Sequence, residues 1–207
     1  NSVVIKGSGI KQTTKLKKCY EEQDDLIKFC FAGDLTVSKG LGELLEASSN
    51  LYQQNYQFKL NIAGKYLPGK QDYISDETYK ILQKSNFINY FGMIDYSKMR
   101  SFYMNSDIFI LPSYGEGLPK SALEAASFGL PLILTDVPGS RECIFENGYL
   151  VPAKDPLALE EKMKKMINNK ETLKSMSTKS LSMVENKFEL TKIVNQYLKL
   201  FDEKTMS

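Results

Sequence analysis

The feature that most constrains this chain is a repeated unit. A short, unbroken apolar run ends on glycine or proline, and an amphipathic stretch follows. Ile27 to Ala32 closes on Gly33, Phe58 to Ala63 on Gly64, Phe87 to Phe91 on Gly92, and Asp107 to Leu111 on Pro112. Leu130 to Thr135 and Tyr149 to Val151 supply a fifth and sixth run. Between them, Leu41, Leu44, Leu45, Leu51 and Tyr52 recur at helical spacing, as do Tyr96, Met99 and Tyr103. A polar, helix-compatible stretch covers Ser75 to Gln83, and another helix is expected from Pro119, suited to a first helical turn, to Phe128.

Strands without a polar face are buried on both sides. Alternated with helices, they imply an α/β fold: a Rossmann-like, doubly wound parallel sheet. Ligands of such sheets bind beyond the carboxyl ends of the strands, so the loops at Gly33, Gly64, Gly92 and Pro112 should share one rim. Extra carboxy-terminal helices follow. Asp155-Pro156 opens one with a side-chain cap and a first-turn proline, and Leu159, Met163, Met166 and Ile167 line its core face. The last carries Leu190, Ile193, Val194, Tyr197, Leu198 and Phe201. A length of 207 residues suits one packed domain with an appended element.

Composition removes several chemistries. The chain has no histidine, hence no Ser-His-Asp triad, histidine base or histidine ligand. Its three cysteines, Cys19, Cys30 and Cys143, have neither disulfide-framework nor zinc spacing, which fits a reducing cytoplasm. Cys143 has no activating neighbour and reads as structural. A net charge of +2 makes no case for nucleic acid, and the basic stretch Lys11 to Lys18 reads as a solvated linker. No apolar run approaches the roughly 20 residues that span a bilayer. Asp95, Asp107 and Asp136 form no D-x-D pair, so no metal is expected. Gly7-Ser8-Gly9 lacks the third glycine of a dinucleotide fingerprint, Gln12 standing in its place. The opening on Asn1, directly before the strand-like Ser2 to Ile5, reads as an excised domain.

The segment with most chemistry is Leu111-Pro-Ser-Tyr-Gly-Glu116-Gly-Leu-Pro-Lys120-Ser-Ala-Leu-Glu124. It describes a strand end, a turn holding Gly115 and Gly117, and a helix amino terminus. Backbone N–H groups there, from Leu118 and around Lys120 and Ser121, make a site for an anionic phosphate. Glu124 lies roughly 7–8 Å along the axis from Pro119, so the two carboxylates flank the helix start. Facing the phosphate they would repel it. Placed to either side, each can accept hydrogen bonds from hydroxyls.

This segment resembles the retaining GT-B glycosyltransferases that include bacterial capsule and lipopolysaccharide enzymes, whose carboxy-terminal half carries an E-x7-E pair, here Glu116 and Glu124. The resemblance runs from Phe29 to Ile167. Phe31-Ala-Gly33-Asp34 through Lys39-Gly40 looks like the family's first strand and phosphate-facing loop. Phe91-Gly92-Met93-Ile94 is similar to its nucleobase loop, Ser106 to Ser113 to the strand before the motif, and Thr135 to Glu142 and Asn147 to Pro152 to later segments.

The resemblance implies transfer of a sugar, with retention, from a nucleotide sugar, UDP-linked, to a polysaccharide or lipid-linked acceptor. It implies that Glu124 holds the ribose diol, Glu116 contacts the donor sugar, and Lys39 with residues 117–121 binds the diphosphate. Met93 and Ile94 would lie by the base, with Gly33 and Asp34 in the phosphate-facing loop. The donor is a substrate, and no other cofactor is implied. The family places arginine where this chain has Asp34, a carboxylate repulsive to phosphate. Only the donor-binding half is matched. Residues 1–25 resemble the segment crossing between halves, 26–187 the donor domain, and 188–207 a helix crossing back toward an absent amino-terminal acceptor half. That helix's apolar face is therefore expected to be partly exposed. Location is read as cytoplasmic, at the inner membrane face through the absent half. Two competing readings are a non-catalytic nucleotide-binding subunit and a sugar-nucleotide epimerase.

Overall fold

The structure, a computed structural model, describes residues 9–10 and 26–205, the side chains of 200–205 excepted. The basic stretch Lys11 to Lys18, Cys19, and all of the crossover segment but Gly9 and Ile10 lie outside the described residues. Six strands, Ile27–Ala32 (β1), Phe58–Ala63 (β2), Ile88–Tyr90 (β3), Ile108–Leu111 (β4), Leu132–Thr135 (β5) and Gly148–Val151 (β6), form one sheet of order β3-β2-β1-β4-β5-β6. Every neighbouring pair is parallel. The order reverses at β1, which places the topological switch point between β1 and β4, where such sheets hold their ligands.

The unbroken apolar runs do what double burial requires. Phe29, Phe31, Leu60, Ile62, Phe109, Ile110, Leu132 and Ile133 are fully buried. Helices cover the sheet: Leu41–Gln53 (α1), Asp76–Lys84 (α2), Tyr96–Met104 (α3), Lys120–Ser127 (α4), Pro138–Arg141 (α5), Pro156–Ile167 (α6), Lys170–Met183 (α7) and Leu190–Thr205 (α8). Ser75 caps α2, and Asp155 caps α6 by accepting from the amide of Ala158 at 2.9 Å. Met163 and Met166 are core residues on α6, which packs along α1. Ala122, Ala125 and Ala126 let α4 lie close against β4 and α7.

Three local expectations are corrected. Pro119 stands one residue ahead of α4, in the extended cap position, because its ψ of 101° is not helical. The fifth strand begins at Leu132 rather than Leu130, where register with Gly148 starts. Helix α5 was not expected at all, since Pro138-Gly139 reads locally as a turn.

A π-helical turn, Val184–Phe188, continues α7 and buries Val184 and Phe188. Ile10 joins the chain there: its amide donates to the Phe188 carbonyl at 2.7 Å and its carbonyl accepts from Leu190 at 3.1 Å. Beyond that junction Ile193 is buried, whereas Leu190, Val194, Tyr197 and Leu198 are exposed, as expected of α8. No described helix is long and apolar enough to cross a membrane.

Candidate functional site

The rim is laced together by its loops. The Gly33 amide donates to Ala63, Leu35 to Lys65, and Gly64 to Gly92, at 2.9–3.0 Å. Across the switch point, Ser113 Oγ and the Tyr114 amide both donate to the Ser38 carbonyl, at 3.2 and 2.8 Å. Gly40 permits this contact. Its φ is +70°, and a Cβ there would lie 2.0 Å from the Pro112 carbonyl oxygen. A short helical turn, Val37–Lys39, ends on it. The result brings two expected site residues into one ion pair: Lys39 Nζ lies 2.6 Å from Glu116 Oε1, with the side chains 32% and 11% exposed.

Glu116 is also braced from behind. Gly139 on α5 packs so closely that a Cβ would sit 2.3 Å from the Glu116 carbonyl oxygen and 2.2 Å from that of Gly117. Thr135 Oγ1 donates to the Ser113 carbonyl on the same side. The opposite side is open: a Cβ on Gly115 or Gly117 would meet nothing within 4 Å. A ligand can reach this backbone freely.

Helix α4 starts without a side-chain cap. Its first internal bonds run from Ala122 and Leu123 to the Pro119 carbonyl. Helix geometry gives the earlier amides, Lys120 and Ser121, no partner within the helix, and the dipole favours an anion at that end. Leu118 is half-buried beside them.

Glu124, one turn further, is half-buried. Tyr103 Oη donates to it at 3.4 Å, and Lys120 Nζ lies 3.8 Å away with a mostly solvent-facing side chain. Burial raises the Glu124 pKa above its ordinary 4.5, and Lys120 and Tyr103 only partly offset this. Tyr103 is itself pushed well above 10, first by burial and then by the Glu124 charge, so it stays a neutral donor.

Glu124 forms one wall of a cavity of about 260 Å³. Gly33, Asp34, Met93, Ile94 and Ser121 line it too, so half of the expected set meets there, with Gly117, Leu118, Pro119 and Lys120 outside the lining. Lys39 and Glu116 sit outside that lining, as a separate corner of the rim. Met93 is 74% exposed at the edge of this cavity. Asp34 is exposed, and its carboxylate accepts from Tyr73 Oη at 3.2 Å. Burial, then the Asp34 charge, raises the Tyr73 pKa.

Sequence reasoning left out several of these residues. Tyr73 is carried in by the long β2–α2 loop, where the Val37 amide bonds the Asp72 carbonyl at 2.6 Å. Lys65 also lines the cavity. Tyr103 was legible as a helix residue but not as a partner of Glu124. Two of the aspartates considered for metal are engaged within the fold: Asp107 accepts from the Lys28 amide at 2.8 Å, and Asp136 pairs with Arg141. Cys143 is buried, its thiol pushed up to about 12 by burial, which leaves it inert as a nucleophile.

These features define a Rossmann-like α/β domain with an anion-favouring helix start at its switch point. The chain belongs to the glycosyl transferases group 1 family, whose model matches residues 12–183. It is the carboxy-terminal type of domain found in GT-B folds. It is 27% identical over 195 residues to the capsular polysaccharide biosynthesis glycosyltransferase CapM of Staphylococcus aureus, covering 89% of this chain and 50% of that protein. Sucrose-phosphate synthase from Thermosynechococcus elongatus superposes with a TM-score of 0.80 at 21% identity, over 96% of this chain and 52% of that one. Anabaena Alr3699/HepE, solved in complex with UDP and glucose, gives 0.75 at 17% identity, over 86% and 48%. The chain thus spans about half the length of each of these three proteins.

Proposed function

We propose that this chain is the donor-binding half of a retaining glycosyltransferase, using a UDP-linked sugar and a polysaccharide or lipid-linked acceptor. The observation that carries this reading is the placement of Glu116 and Glu124 around the open, uncapped start of α4. A diphosphate at the amides of Lys120 and Ser121 puts a ribose toward Glu124 and a sugar toward Glu116. The base then falls by Met93 and Ile94. The relative solved with UDP and glucose supports this choice of nucleotide.

Lys39 holds Glu116 by its ion pair, so a phosphate reaching that corner shares the ammonium with the carboxylate. Charge on the leaving diphosphate is balanced by lysines and the helix dipole, without a metal. In the transfer, the bond from the anomeric carbon to the diphosphate oxygen breaks. The acceptor oxygen bonds on the same face, and its proton passes to the leaving phosphate oxygen. In this reading the acceptor side belongs to an amino-terminal half outside this chain.

Asp34 favours a second reading, a nucleotide-binding subunit without transferase activity, because its carboxylate opposes an anionic ligand. Calorimetric titration with UDP and GDP tests the nucleotide. Tighter binding of UDP is expected, and equal or tighter binding of GDP would remove the uridine assignment. The transfer reading fails if the chain, joined to an acceptor half, binds UDP-sugar and moves no sugar.

A further inference from the structure

We propose that Lys65 is the cation that holds the donor's diphosphate in the cavity beside Glu124. The proposal rests on the reading of this chain as a nucleotide-sugar binder and assigns the charge that reading needs. Two carboxylates, Asp34 and Glu124, line the cavity, and an anionic occupant meets both. Among the described residues lining it, Lys65 is the one cation.

Two other lysines expected at the site, Lys39 and Lys120, already have carboxylate partners. The Lys39 ammonium lies 2.6 Å from Glu116, outside this cavity's lining. Lys120 leans on Glu124 at 3.8 Å, and its side chain is 67% exposed. Among the described residues, no carboxylate pairs with Lys65. Even Asp34, on the adjacent loop, is turned to Tyr73 instead.

The backbone of Lys65 is anchored while its side chain is not. Its carbonyl accepts from the Leu35 amide at 2.9 Å, which ties the carboxyl end of β2 to the loop after β1. A flexible four-carbon stem on a fixed backbone lets the ammonium swing over the cavity mouth and meet a phosphate as a point charge. The helix start at Ser121 faces the same space. Charge from Lys65 and dipole from α4 would then grip the diphosphate together.

The test compares UDP with uridine on the chain, for wild type, Lys65→Ala and Lys65→Arg, by titration at low and moderate salt. For Lys65→Ala, UDP affinity should fall about 5- to 10-fold and uridine affinity by less than about twofold. The salt dependence of UDP binding should flatten, and Lys65→Arg should retain most of the affinity. Equal losses for UDP and uridine would move Lys65 to the nucleoside and overturn the proposal, as would unchanged UDP binding. A wild-type chain that binds neither ligand would sink the underlying reading as well. One that binds UDP regardless of residue 65 sinks this inference alone.

Discussion

The two glutamates of the α4 segment are eight positions apart in sequence yet live in different electrostatic settings. Glu116 is nearly buried and clamped by Lys39 at 2.6 Å, with Gly139 pressed against its backbone. Glu124 has only a distant lysine and a tyrosine hydroxyl, and burial raises its pKa. One carboxylate is fixed in place by a partner. The other stands on a cavity wall with longer, weaker partners. One sequence segment therefore holds two carboxylates in unlike settings, one clamped and one open to a cavity.

The largest expected effect tests the open carboxylate. Glu124→Ala should weaken UDP binding about 10- to 100-fold, the worth of hydrogen bonds to a charged group. Calorimetry returning wild-type affinity would take Glu124 out of the site. The clamped side is tested by Lys39→Met, which strands Glu116 without its cation. UDP-glucose affinity should fall about 3- to 10-fold more than UDP affinity, a modest figure because the pair is partly solvated. An unchanged ratio would separate Glu116 from the sugar.

The smallest effect concerns stability. Because the folded pKa of Glu124 is raised, the folded state binds more protons than the unfolded state between the two pKa values. Stability contributed by this site is therefore lost as pH rises through that window above the ordinary 4.5, and stays lost at pH 7. Glu124→Gln should raise the melting temperature slightly at pH 7 and lose that gain as pH falls below the ordinary carboxylate range. A variant less stable than wild type at pH 7 would mean that the carboxylate is satisfied in the fold.

The fold was legible because double burial writes itself into sequence as runs such as Phe29-Cys30-Phe31 and Ile108 to Leu111. The start of α4 was legible to within one residue from its glycines and proline. What local pattern does not carry is which loop leans on which. Lys65 follows a strand-ending glycine as any solvated lysine might. Asp34 reads as a defect in the phosphate loop until Tyr73 is seen to take its carboxylate. Gly139 looks like turn punctuation, yet the reason for a glycine there is two carbonyls contributed by a distant turn. The pairing of Lys39 with Glu116 depends on a sheet order that brings β4 back beside β1.

That pairing spans 77 positions. On a ribosome adding about 5–20 residues each second, Lys39 emerges roughly 4 to 15 seconds before its partner. Throughout that interval the nascent chain carries the β1 loop but no clamped corner, and β1 lacks the neighbour that will cover one of its edges. Until β4 arrives, a central strand of the finished sheet has one edge open to wrong pairing.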